Sequence, residues 1–106
     1  MSDKIKKHTL YLGLNDQTTK TQKIGTIEAY KIAQNILTEF CDGGTIFEAQ
    51  GFYKHLDGKI TLEKTLRIEL LFTDDQTVKK ICDILKTVFN QESIAIQTEV
   101  INSELY

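Results

Sequence analysis

Residues 57–75 read DGKITLEKTLRIELLFTDD. Asp57-Gly58 signals a tight hairpin, because this pair accepts the positive φ that a short turn demands. Beyond it, Ile60, Leu62, Leu66, Ile68, Leu70 and Phe72 fall on one face of an extended chain. Thr61, Glu63, Thr65, Arg67 and Glu69 fall on the other. A period of two predicts a half-buried strand. Asp74-Asp75 then stands at a helix start, and Val78, Ile81, Cys82, Leu85, Val88 and Phe89 recur at helical spacing. The stretch thus predicts a hairpin, a strand and the entry to a helix.

Upstream, Thr45 to His55 is the partner strand of that hairpin. Thr45, Phe47, Ala49, Gly51 and Tyr53 alternate with Ile46, Glu48, Gln50, Phe52 and Lys54. The first set is expected inward near the start, with a bulge at Gly51 where the facing switches. Before it, Ile27, Tyr30, Ala33, Ile36, Leu37 and Phe40 form a helical stripe over Thr26 to Phe40, with Thr26 as N-cap. Asp42-Gly43-Gly44 is expected to close that helix through a left-handed glycine. In Thr9 to Leu14 the leucines at 10, 12 and 14 alternate with Tyr11 and Gly13, the mark of a first strand. Asn15 to Gly25 is polar and aperiodic, longer than usual connections, and a candidate mobile binding loop.

Downstream, Ile94, Ile96 and Val100 alternate with Ala95, Gln97 and Glu99 in a last strand over Ser93 to Ile101. The tail Asn102 to Tyr106 is expected to fray unless an oligomer holds it. The order β-α-β-β-α-β is the split, ferredoxin-like α+β pattern, a four-stranded antiparallel sheet with two helices on one face. The other face is expected to display Tyr11, Gly13, Glu63, Thr65, Arg67, Glu69, Gln97 and Glu99.

Composition bounds what this architecture does. With 106 residues, 41 % of them hydrophobic, the chain is expected to form a single ferredoxin-like domain with residues 1–8 as a flexible tail. Its net charge of −2 carries no footprint of nucleic-acid binding. No apolar run approaches a membrane span of about 20 residues, and no leader is legible, so the expected location is cytoplasmic. Cys41 and Cys82 lack Cys or His neighbours at metal-ligand spacing and are expected as free thiols, with no metal and no cofactor.

Several short segments resemble an uncharacterised bacterial family, a domain of unknown function. They are Leu10-Tyr11-Leu12-Gly13, Phe40-Cys41-Asp42-Gly43-Gly44-Thr45, Gly51-Phe52-Tyr53, Glu63 after the hairpin, and Phe89-Asn90-Gln91-Glu92-Ser93-Ile94. The resemblance spans roughly residues 10 to 97 and implies the same fold without an activity. The chain departs from the family pattern in having no tryptophan and no export signal. The topology also looks like nitrogen-regulatory trimers and their copper-tolerance relatives, although the short hairpin differs from the long signalling loop of the former.

The candidate ligand-binding residues are Tyr11, Lys20, Lys23, Tyr53, Glu63, Arg67, Gln91 and Glu92, with Arg67, Lys20 and Lys23 the expected partners of an anion. Gln91-Glu92-Ser93 are equally suited to tying the backbone of their turn. His8 is expected as an exposed tail residue. His55 beside Asp57 is a candidate base oriented by a carboxylate. No catalytic constellation is legible. The expected function is therefore non-enzymatic: an oligomer binding or sequestering a small anionic or nucleotide-like ligand, its copies meeting through the open sheet face as a dimer or trimer. One alternative is an enzyme of the dimeric α+β barrel type using Tyr11, Tyr53, His55 or Glu63. Another is a protein-interaction module using that face.

Overall fold

The computed structural model describes residues 3–106. Its elements run β1 (Asp3–Gly13), α1 (Thr26–Thr38), β2 (Thr45–Lys54), β3 (Ile60–Leu71), α2 (Asp75–Val88) and β4 (Ala95–Ser103). The four strands form one antiparallel sheet in the order β2-β3-β1-β4. This is the α+β, ferredoxin-like arrangement that the alternating periodicities predict.

Burial follows the alternation. Leu10 and Leu12 of β1, Leu14 just beyond it, and Leu66, Ile68 and Leu70 of β3 point to the helices and are almost fully buried. Leu10 lies opposite Ile68, and Leu12 opposite Leu66. On α2, Val78, Ile81, Cys82 and Leu85 close over them, with Phe89 just past the helix end. Burial pushes the Cys82 thiol up to about 11. The Asp74 carboxylate accepts from the Thr77 amide at 2.7 Å, satisfying one of the free N–H groups of the first turn. Asn90 takes a left-handed φ of 48° just after the helix, closing its C-terminal end.

α1 is rotated relative to the expected stripe. Ala29, Ala33 and Leu37 are buried, whereas Ile27 is 77 % exposed. Two alanines permit close approach to the sheet, and Ile27 overhangs in the first turn. Gly25 occupies the N-cap without a side-chain bond, and Thr26 is the first helical residue. Its hydroxyl accepts instead from Gln22 Nε2 at 3.0 Å. The amides of Glu39, Phe40 and Cys41 close the C-terminal end by bonding back to Ile36 and Leu37 carbonyls. Only Gly58 among the glycines has a positive φ, so Gly43 and Gly44 do not close α1 as expected.

Four further expectations need correction. Residues 3–8 are not a flexible tail but the first half of β1, paired with β4 down to Asp3↔Ser103; Met1 and Ser2 lie outside the described residues. Asn102 and Ser103 are likewise in β4, held by that pairing rather than frayed. β2 pairs with β3 without interruption from Thr45↔Glu69 to Lys54↔Ile60, so Gly51 makes no bulge. Its inward set is the one containing Ile46, which packs on the core, while Phe47 faces the other way. The tight hairpin expected at Asp57-Gly58 is present as a three-residue loop. The Gly58 amide bonds His55 O at 2.9 Å and the His55 amide bonds Lys59 O at 2.8 Å, with Gly58 at φ 88°.

Ile68 is fully buried at the centre of the core. Ile68→Ala should therefore cost about 2–5 kcal/mol, read as a lowered urea midpoint with an unchanged denaturant slope.

Candidate functional site

The helix-free face of the sheet carries the odd-numbered residues of β1, β3 and β4. At its centre Arg67 of β3 stands opposite Tyr11 of β1 and Phe47 of β2. The guanidinium carbon lies 4.4 Å from the centre of the Phe47 ring, a cation–π contact that fixes the plane of the arginine fork. Nη2 approaches Glu69 Oε2 at 3.5 Å, and Lys7 Nζ approaches the same oxygen at 3.3 Å. Glu69 is the only carboxylate within ion-pair distance of either cation among the described residues. Arg67 Nε is buried and has no hydrogen-bond partner among the described residues. Tyr11 donates its hydroxyl to Gln97 Oε1 at 3.2 Å.

Glu63 shares this face at the hairpin side. Its carboxylate lies over Gly13, where a Cβ would stand 2.6 Å from it, and accepts the Asn15 amide at 2.9 Å. Glu63 is thus committed to holding the chain as it leaves β1, and among the described residues no hydrogen bond or ion pair joins it to Arg67, Tyr11 or Glu99.

The Asn15 to Gly25 segment, expected as a mobile binding loop, is crossed by hydrogen bonds among its own polar atoms and with Asn90 and Gln91. The Asp16 carboxylate accepts from the Thr18 and Thr19 amides at 2.9 and 3.0 Å, an Asx turn. Asn15 bridges Gln22 across the segment. Gln17 gives its amide to Asn90 O at 3.0 Å and its side chain to Asn90 Oδ1 at 3.0 Å. Gln91 Nε2 donates to the Asn15 and Phe89 carbonyls. Gln91 therefore ties backbone to backbone, the structural alternative foreseen for it. Lys20 stands on the loop at φ 62°, and Lys23 lies 4.0 Å from Asp16. No contact brings either lysine to Arg67. Glu92 is exposed, with no bonded partner among the described residues.

The two histidines are not placed as expected. His8 is 2 % exposed and meets Asp75 Oδ1 at 2.8 Å through Nε2, while Lys6 holds the other oxygen of Asp75 at 2.8 Å. The first half of β1 is thereby fastened to the start of α2. His55 meets Thr61 Oγ1 at 2.6 Å and stacks obliquely on Tyr53, at 4.4 Å between ring centres. Asp57 caps the Lys59 amide and does not orient His55.

Beyond the ends of β2 and β3 a groove of about 770 Å³ opens beside the Lys7–Glu69 pair, lined by the Phe40–Thr45 turn, Phe72, Asp74 and the end of β4. Cys41 sits on its wall as a free thiol, raised by burial. Among the described residues no group of three or more His, Cys, Asp or Glu side chains is placed to hold a metal ion. No helix is long and apolar enough to cross a membrane.

The architecture, the bare polar face and the ordered loop can be set beside known proteins. The family model for proteins of unknown function, DUF3574, matches residues 7–104. The chain belongs to this family. No curated protein matches it. For this DUF3574 protein, similar solved structures include a phage SAM lyase in complex with S-methyl-5'-thioadenosine. That match has a TM-score of 0.65 at 15 % identity, over 96 % of this chain and 87 % of the lyase. CutA from Synechococcus elongatus matches at a TM-score of 0.59 and 12 % identity, over 96 % of this chain and 81 % of that one. With Bis-Tris bound, CutA matches at 0.62 and 13 %, over 99 % and 89 %. At such identities the likeness establishes the shared fold alone.

Of the eight candidate residues, the DUF3574 structure brings Tyr11 and Arg67 together and adds Phe47, Glu69 and Lys7. Phe47 was legible only through register, because it faces Arg67 across a strand pair that alternation alone does not align. Tyr53 lies out on the hairpin.

Two outcomes test this description. Gly13→Ala should displace the Glu63 carboxylate from the Asn15 amide and cost about 1 kcal/mol, the worth of that bond. Adding Glu63→Ala should cost little more, whereas full additivity in denaturation would separate the two residues. Secondly, Asp16 is held below its ordinary carboxyl value chiefly by the Thr19 amide, then by the Asn90 side chain. Asp75 is held down chiefly by Lys6, then by His8. A carboxyl lowered in the folded state stabilises above its ordinary value of 3.8, and the contribution is lost as pH falls through the lower folded value. Stability should drop below about pH 4, and Asp75→Asn should flatten that drop in urea titrations.

Proposed function

We propose that the protein binds a small anionic or nucleotide-like ligand without transforming it, at the Arg67 cluster of the open sheet face. Copies of the chain associate so that the sites lie at subunit boundaries. The observation that carries this reading is the arrangement of Arg67 and Lys7 around one shared carboxylate, with the guanidinium plane preset by Phe47. Two cations that share one counter-charge retain capacity for another anion. A preset fork loses little freedom on binding a phosphate or carboxylate. The outer face of a guanidinium stacked on an aromatic ring also offers a base a flat surface. A further support is that a protein of this fold, the phage SAM lyase, holds S-methyl-5'-thioadenosine. The two free thiols suit a reducing compartment such as the cytoplasm.

The test is calorimetric titration with adenosine monophosphate, S-methyl-5'-thioadenosine and inorganic phosphate, followed by mass spectrometry of the recovered ligand. Binding of the nucleotide is expected, with the ligand recovered intact and the affinity of Arg67→Ala reduced by roughly tenfold to a hundredfold, as for loss of a charge-assisted hydrogen bond. Affinity unchanged in Arg67→Ala, or no binding of any of the three, would sink the assignment. A chemically altered ligand would replace it with an enzymatic reading.

A further inference from the structure

The sheet is staggered. β1 pairs with β3 only over Lys7–Gly13, so β2 and β3 run on past one end as a two-stranded arm of residues 50–64. At the other end β1 and β4 run on past β3, and residues 3–6 of β1 carry β4 on one edge and no strand on the other. The molecule is correspondingly long, 51 × 27 × 22 Å.

The arm is built like a core surface with nothing on it. Phe52, Leu56, Ile60 and Leu62 are exposed by 77, 110, 62 and 61 %. Phe52 and Leu62 are cross-strand partners, and Ile60 shares their face. This is the side on which the helices lie, but the arm extends beyond them. Its lysines Lys54, Lys59 and Lys64 take part in no ion pair among the described residues. At the opposite corner lies the groove, with apolar walls from Leu71, Phe72, Ile101 and Leu105 and carboxylates from Asp42 and Asp74. A contiguous exposed apolar patch of this kind marks an interaction surface. An open strand edge beside a groove invites an added strand.

We propose that the arm of one copy docks in the groove of the next, its apolar side chains against Leu71, Phe72 and Leu105 and its lysines toward Asp42 and Asp74. The occupant is a second copy of this chain for two reasons. The arm carries Lys54, Lys59 and Lys64 against Asp57 and Glu63, and the groove Asp42, Glu69 and Asp74 against Lys7, so their net charges are opposite in sign; both lie on one sheet, at opposite ends, where they cannot meet within a molecule. Contacts between two different patches are heterologous, closing into a ring where the rotation between copies closes and running on as a filament where it does not. This rests on the reading that copies associate; the groove shares Lys7 and Glu69 with the Arg67 cluster, and titration of Arg67→Ala tests the ligand assignment separately.

The test uses two double variants in size-exclusion chromatography with light scattering. The arm variant is Phe52→Asp with Leu62→Asp. The groove variant is Phe72→Asp with Leu105→Asp; Phe72 sits at φ 63°, a conformation that aspartate tolerates better than phenylalanine. The wild type is expected at a small multiple of 12.1 kDa and each variant at 12.1 kDa, with unchanged circular dichroism because the altered side chains are exposed. Mixing the variants leaves one intact arm and one intact groove and should yield a heterodimer. A monomeric wild type would overturn the association itself. An oligomer that survives the arm variant, or a mixture that stays monomeric, would overturn the arm-in-groove contact.

Discussion

The fold hangs on β1 being flanked on both edges. β3 holds it over Lys7–Gly13 and β4 over Asp3–Tyr11, so its backbone groups are satisfied on both sides through the middle of the sheet. That double pairing fixes which residues face the helices. A slip of one residue on either edge would turn Leu10 and Leu12 out of the core and expose His8, Leu10 and Leu12 together. The Lys6–Asp75–His8 contacts then lock the angle of α2 against the strand.

The strongest signals in the sequence were those of elements with one buried and one polar face. β3 alternates, although only from Leu66 to Leu70 is its apolar face buried, and α2 carries its apolar stripe where the sequence places it apart from the exposed Val88. β1 was legible only from Thr9 onward. Its first half reads as a lysine-rich tail, since Lys4, Lys6 and Lys7 have no hydrophobic pattern and the strand forms by pairing with β4. His8 followed that misreading, although it continues the even-numbered inward set of Leu10 and Leu12. α1 was rotated in expectation because alanine is a weak marker of burial while Ile27 and Tyr30 are strong ones. β2 was ambiguous because half of it lies on the arm, where facing leaves little trace in burial.

The site divides the same way. Tyr11, Glu63 and Arg67 could be assigned to the open face from periodicity, because alternation fixes the face. Which of them touch depends on register between strands distant in sequence, and that put Arg67 with Phe47 and Glu69 while sending Glu63 to the Asn15 amide. Polar loop residues carry no register at all. Asp16, Gln17, Asn90 and Gln91 look like ligand-seeking groups in sequence and spend themselves on the backbone.

The seam between β1 and β4 joins the first strand to the last, and the Gln17–Asn90 bonds join the same two regions of the chain a second time. The seam spans most of the sequence, and the Gln17–Asn90 closure spans 73 of its 106 residues. A topology so dominated by distant partners orders slowly, since most of the loop entropy is spent before the seam returns any contact. During synthesis β1 waits, with one edge and several apolar side chains uncovered, until β4 emerges. In that interval the leucine row of β1 is the segment most in need of protection from other nascent chains.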